Sequence, residues 1–449
     1  MSHTIAAVST GNQVSAIGIL RLSGEGCIEI AEKVFSRPLQ TSPNRLLVLG
    51  ELRDIQGRTI DQCMAVVSRA PHSYTGEDTV EFHCHGSPAV LAEGLRSLYA
   101  AGARPAQRGE FTKRAFLNGK LDLTQAEAVI DLIDAETADA AANAAGQVAG
   151  AMRKRIDPVY DSWVDICAHF HAVLDYPDED IDPFELSQLE SALQTSSRTL
   201  SALLSSCHRG RMVRSGVKIT ILGSPNAGKS SLLNALSGFD RVIVTDIPGT
   251  TRDTVEQTVT LGRHLVRLVD TAGIRDTEDV IEKIGVDRSV EAAKDCDAAL
   301  FVVDDSRPLT DEDRRAMDAA LEAPEAIAVL NKQDLGAVIE PSDLPFSYIV
   351  PVSCKDGTGF DLLEQAFDML FPDDAPCDGS LLTNARQADA IVRAKKSVDA
   401  ALRSLRAGFT PDAVLVDLEA AMRALGEVTG RTMREDITNR IFERFCVGK

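Results

Sequence analysis

Gly223-Ser224-Pro225-Asn226-Ala227-Gly228-Lys229-Ser230-Ser231 follows the apolar run Ile219–Leu222 and precedes Leu232–Leu236. A strand, a tight loop and a helix start form the setting in which G-x-x-x-x-G-K-[ST] cradles phosphates. Gly223 and Gly228 let successive N–H groups converge on phosphate oxygens, and the opening helix adds partial positive charge. Lys229 can reach the terminal phosphates, and the Ser230 hydroxyl can sit on a magnesium ion. Taken alone, the bland alternative is a joint between strand and helix.

Outward from that loop, three more words stand at strand ends. Asp270-Thr271-Ala272-Gly273 follows Leu265–Val269, where the aspartate can hold a magnesium shell through water. Asn331-Lys332-Gln333-Asp334 ends the run Ala326–Leu330, and Ser353-Cys354-Lys355 follows Tyr348–Val352. The Asp334 carboxylate can accept both the N1 and the exocyclic amino protons of guanine. Adenine lacks that donor pair and would leave a buried carboxylate unpaired, so guanine is favoured by several kcal/mol. Ser353, Cys354 and Lys355 complete a base pocket through backbone N–H groups. Each word alone could be a turn or a capped helix; four in register define a guanine nucleotide site.

Pro225-Asn226, together with Asp246-Ile247-Pro248-Gly249-Thr250-Thr251-Arg252-Asp253 after Thr245, narrows the class. Thr251 is expected to meet magnesium when a γ-phosphate is present. Ile274 stands after Gly273, where Ras-like enzymes carry a water-orienting glutamine. Isoleucine cannot polarise water, so hydrolysis needs another group or is slow; Asp276, Glu278, Asp279 and Glu282 are the nearby carboxylates, which could equally form an exposed acidic loop.

With 449 residues, 44% of them hydrophobic, the chain is long enough for several domains with real cores. No apolar run approaches the roughly 20 residues of a membrane span, and no signal peptide opens the chain. Nine scattered cysteines suit a reducing cytosol. A net charge of −20 argues against indiscriminate nucleic-acid binding, so any RNA contact is local or shared with a basic partner. Arg104, Arg108, Lys113 and Arg114, or Arg209, Arg211, Arg214 and Lys218, are candidate patches; a solvated face explains either equally well.

Residues 1 to 118 mix short strands (Ala16–Leu22, Leu46–Leu52, Cys63–Ser68, Thr79–Cys84) with helices (Cys27–Phe35, Pro88–Ala101), an α+β domain. Alanine-rich helical periodicity then runs from Leu123 to Leu204, broken by the acidic turn 175–183. Arg209–Gly216 reads as a basic linker, 216–376 as an α/β GTPase domain, and 377–449 as a return to helix. The fold class is thus multidomain, α+β and α/β, with the P-loop domain inserted between helical segments 119–215 and 377–449. In His83-Cys84-His85, strand alternation puts both histidines on one face, too few ligands for a zinc site. Cys167 and His171, four apart on a helix, read as packing.

Gly18-Ile19-Leu20-Arg21, Tyr74-Thr75-Gly76-Glu77-Asp78, the stretch from Gln107 to Ala135, and the ending Phe445-Cys446-Val447-Gly448-Lys449 closely resemble the MnmE (TrmE) family of tRNA wobble-uridine-modifying GTPases. The resemblance spans essentially the whole chain. It implies an N-terminal domain that dimerises and binds a one-carbon tetrahydrofolate (5-formyl or methylene), contacted by Arg21, Glu81, Lys120 and Lys449. It also implies a Ras-like domain that holds GTP and magnesium, with potassium at Asn226 and at the loop of Thr245, Ile247 and Thr250. Lys229 and Glu282 become the catalytic pair, Glu282 orienting water through a bridging water. The family's partners are tRNA and an FAD-dependent protein of the MnmG (GidA) type, in a heterotetramer or larger assembly in the cytoplasm. Cys446 matters there for tRNA modification; by itself it reads as a small buried residue. Outside this class, the alternatives are a ribosome-assembly switch of the Era type and a slow signalling switch.

Overall fold

The computed structural model describes residues 3–11, 13–175, 186–238, 256–269, 290–372, 377–432, 438, 441–443 and 445–448. The chain divides into two compact units: Met1–Asp134 with Ala144–Leu204 and Ala385–Lys449, and Ala135–Asn143 with Ser205–Asn384.

The first unit contains, among the described residues, a six-stranded mixed sheet of β1 (Ile5–Val8), β2 (Ser15–Ser23), β3 (Leu47–Arg53), β4 (Thr59–Ser68), β5 (Thr79–Gly86) and β6 (Arg104–Pro105), in the order β3-β4-β5-β2-β1-β6. Strand alternation sends Leu20, Leu22, Leu52, Ala65, Val67, Val80 and Phe82 to one face, where the helices Cys27–Lys33 and Pro88–Ala101 cover them. On the opposite face, among the described residues, Ile17, Leu47, Leu49 and Met64 are all exposed. Register places Leu49, Met64, His83 and Ile19 in one row across four strands, and Val66, Glu81 and Arg21 in another. The alternation expected at 83–85 holds, with Cys84 buried and His85 exposed.

The helical part of this unit follows from Asp122, which caps Leu123–Ile133 in a reciprocal box with Gln125. Ala151–Asp175, Leu186–Ser205, Ala385–Arg406 and Pro411–Thr429 supply the remaining long helices. Buried Glu127 is held by Arg386 at 2.7 Å and Gln387 at 2.8 Å, pairing residues from the two ends of the helical sequence. Cys167 is packed, its thiol 3.5 Å from the Met422 sulfur. The acidic turn lies mostly outside the described residues.

The second unit's sheet is β7 (Val217–Leu222), β8 (Glu256–Leu261), β9 (His264–Val269), β10 (Ala298–Asp304), β11 (Ala326–Asn331) and β12 (Tyr348–Pro351), ordered β12-β11-β10-β7-β9-β8 with only β8 antiparallel. Every residue of β10 is buried, as expected for a parallel strand covered on both faces. The linker expected at 209–216 is corrected: Cys207–Ser215 is a helix. Its basic residues hid the apolar contact of Met212, which packs on the sheet's core and ties this segment to the second unit.

Candidate guanine nucleotide site

The phosphate loop leaves β7 and enters the helix Lys229–Gly238. Gly228 has φ +102°, and a Cβ there would collide with Nδ2 of Asn331, so glycine is required twice over. That nitrogen instead donates to the Ala227 carbonyl at 3.0 Å, joining the phosphate loop to the base-reading loop. Lys229 Nζ donates to the carbonyls of Gly223 and Ser224, both at 2.8 Å. Burial lowers its pKa, opposed by the charge of Asp313. Asn226 lies in the left-handed region at φ 61°, exposed like Ser230 and Ser231. The open position of Asn226 and Ser230 fits cation binding at the loop's mouth.

The base-reading words converge as expected. One Asp334 carboxylate oxygen accepts from Ser353 Oγ at 3.2 Å, and the other from Lys355 Nζ at 3.3 Å. Burial alone would raise this carboxyl; the bonds from Lys355 and Ser353 outweigh it and hold it low. Asn331 Oδ1 accepts from the Cys354 amide at 3.3 Å. Burial pushes the Cys354 thiol up to about 11, which makes it a wall and not a nucleophile.

Sequence reading missed the end of β10. Asp304 accepts Lys332 Nζ at 2.6 Å, while Asp305 receives the Gln333 amide and the Ile339 N–H at 2.9 Å. Hydrogen bonds from Lys332 and Ser306 overcome burial and depress the Asp304 carboxyl. The signal was available: an uninterrupted apolar run, 298–303, that stops on two acids. Thr245, Asp246, Ile247, Pro248, Gly249, Thr250, Thr251, Asp270, Thr271, Ala272, Gly273 and Glu282 lie outside the described residues.

In the first unit, Arg21 and Glu81 face each other across β2 and β5 and pair at 2.7 Å. The Arg21 guanidinium also lies 5.6 Å from the Tyr74 ring and 5.7 Å from that of Phe111. Lys120 is exposed, its stem beside Gly76. Lys449 lies outside the described residues, but its neighbours are held: Val447 bridges Arg108, and the Gly448 carbonyl accepts Ser9 Oγ at 3.0 Å. A Cβ on Gly448, at φ +99°, would strike the Val8 carbonyl. Cys446 is exposed, which corrects the buried reading; its carbonyl accepts from the Gly109 amide at 3.2 Å. An aromatic-flanked ion pair fits a flat heterocycle with donor and acceptor edges.

The second unit is, by strand order and site, a P-loop protein of Ras-like topology built to select guanine nucleotides. The "GTP-binding protein TrmE N-terminus" model matches residues 4–120, and the "MnmE helical domain" model matches 123–446. A protein of Thermoanaerobacter pseudethanolicus called "tRNA modification GTPase MnmE" is 40% identical over 99% of both chains. So named, a Roseiflexus protein is 42% identical over 99% of both, and an Aquifex aeolicus protein 40% over 100% of both. The chain belongs to the MnmE (TrmE) family of tRNA modification GTPases.

Proposed function

We propose that this chain is a potassium-dependent GTPase working in the cytoplasm with an FAD-dependent protein of the MnmG type. Together they add an aminomethyl or carboxymethylaminomethyl group to C5 of the wobble uridine of certain tRNAs, with a one-carbon tetrahydrofolate as carbon source. The observation that carries this reading is the end-to-end likeness, 40% identity over 99% of both chains, to a tRNA modification GTPase.

In this reading Asp334 selects guanine and Lys229 leaves its two loop carbonyls for the terminal phosphates. Ser230 and Thr251 would hold magnesium; Asn226, Thr245, Ile247 and Thr250 would hold potassium. The cations would offset charge developing on the γ-phosphate, as an arginine finger does elsewhere. Glu282 would orient water in place of the glutamine that Ile274 replaces. Arg21, Glu81 and Tyr74, with the tail beside β1, support a folate site that Lys120 and Lys449 complete. The open apolar face of the first sheet supports a homodimer.

Nucleoside mass analysis of tRNA from cells lacking the chain tests the proposal. The wobble modification should vanish, return with the wild-type chain, and stay absent with Glu282→Ala. An unchanged profile refutes it.

A further inference from the structure

We infer that Asp313, acting through Ser224 and balanced by Arg307, is a positioning residue for the phosphate loop. Ser224 is the second residue of that loop and is buried. Its carbonyl accepts from Lys229 Nζ at 2.8 Å and from the Ala227 amide at 3.3 Å. Its hydroxyl donates to Asp313 Oδ1 at 2.5 Å. One residue thus fixes the resting lysine on one side and is itself fixed on the other.

Asp313 is fully buried, at 0% exposure, in the first turn of Asp311–Ala320. Its Oδ2 serves the helix cap, accepting the Thr310 amide at 2.9 Å and the Thr310 hydroxyl at 2.6 Å. Arg307 Nη1 donates to the same oxygen at 2.7 Å. The cap needs only that oxygen. The bond from Oδ1 to Ser224, across 89 residues of sequence, serves the phosphate loop. An unbalanced buried carboxylate behind a phosphate site would repel the ligand and carry a large desolvation penalty. Arg307, whose Nη2 is also 3.3 Å from Ser224 Oγ, supplies the balance.

Two consequences differ in kind. Losing the Ser224 hydroxyl frees the loop and lowers affinity by removing preorganisation. Losing Arg307 unmasks a negative charge, so the penalty must grow with the charge of the nucleotide. A general structural defect would produce no such gradient.

The test titrates full-length protein with GTP, GDP and GMP and records unfolding of the nucleotide-free forms. Ser224→Ala should weaken GTP binding about tenfold, with the KM raised, kcat within about twofold and the unfolding temperature nearly unchanged. Arg307→Met should weaken GTP about thirtyfold, GDP less and GMP least, and adding Asp313→Asn should flatten that gradient. Wild-type GTP affinity in Ser224→Ala, a loss of affinity matched by a large fall in unfolding temperature, or equal losses for all three nucleotides in Arg307→Met each overturn the inference.

Discussion

The two six-stranded sheets solve burial differently. β10 in the GTPase unit is buried along its whole length. β3 in the first unit alternates, leaving Leu47 and Leu49 in solvent beside Met64. Crossover helices cover both faces of a parallel sheet, whereas hairpin connections let helices gather on one face of an antiparallel one. The covered sheet can therefore concentrate its chemistry only where its strands end, at Asn331, Asp304 and the phosphate loop. The half-covered sheet carries the Arg21–Glu81 pair in mid-strand, away from any strand end.

The sharpest way to break this contrast is to truncate one side chain on each sheet. Phe301 is fully buried and stacked on Phe346 at 5.5 Å. Phe301→Ala should destabilise the GTPase unit by about 3–5 kcal/mol, read by urea unfolding, while Leu49→Ala, measured at a dilution where the chain is monomeric, changes the first unit by about 0.5 kcal/mol or less. Equal losses in the monomer would mean that this chain itself covers the face.

A second, smaller effect concerns acid. Asp304 and Asp313 each feel burial that would raise their carboxyls, but hydrogen bonds from Lys332 and Ser306, and from Arg307, Ser224 and Thr310, hold both below the usual range. A carboxylate with a depressed folded pKa stabilises above its unfolded value and loses that contribution as pH falls through the folded one. The GTPase unit should therefore weaken progressively below about pH 4, and Asp304→Asn should make that acid limb shallower in thermal scans. An unaltered slope would show that the Lys332 pair does not set it.

The mildest change in stability should have the clearest effect on assembly. Leu49→Asp on the open row should leave the unfolding free energy of the monomer within about 0.5 kcal/mol and shift the proposed homodimer to monomer in sedimentation. A persistent dimer would place the interface elsewhere.

Much of the GTPase unit was legible because its motifs are contiguous: Asn226 to Ser231, Asn331 to Asp334 and Ser353 to Lys355 each occupy one turn at a strand end. The helix Pro88–Ala101 was also read to the residue. The helix Cys207–Ser215 was not, because its polar sequence conceals a single packed methionine. Nor were the short strands β1 and β6, whose few residues carry no period. Asp304, Asp305 and Asp313 escaped notice for a related reason. The acids that end the run 298–303 marked a strand end but not a role, and Asp313 sits among other acids at a helix start; only partners such as Lys332, Gln333 and Ser224 give them one.

The sequence by itself determined the guanine-nucleotide class and the family, since local backbone geometry and residue chemistry at fixed spacing suffice for a phosphate loop and its companions. Tertiary structure alone decided that Asn331 ties the base-reading loop to Ala227, that the tail at Gly448 lies against Val8, and that a buried Asp313 stands behind Ser224. Each of those contacts joins residues far apart along the chain, and only the packing of each sheet with its own helices and loops brings such residues within bonding distance.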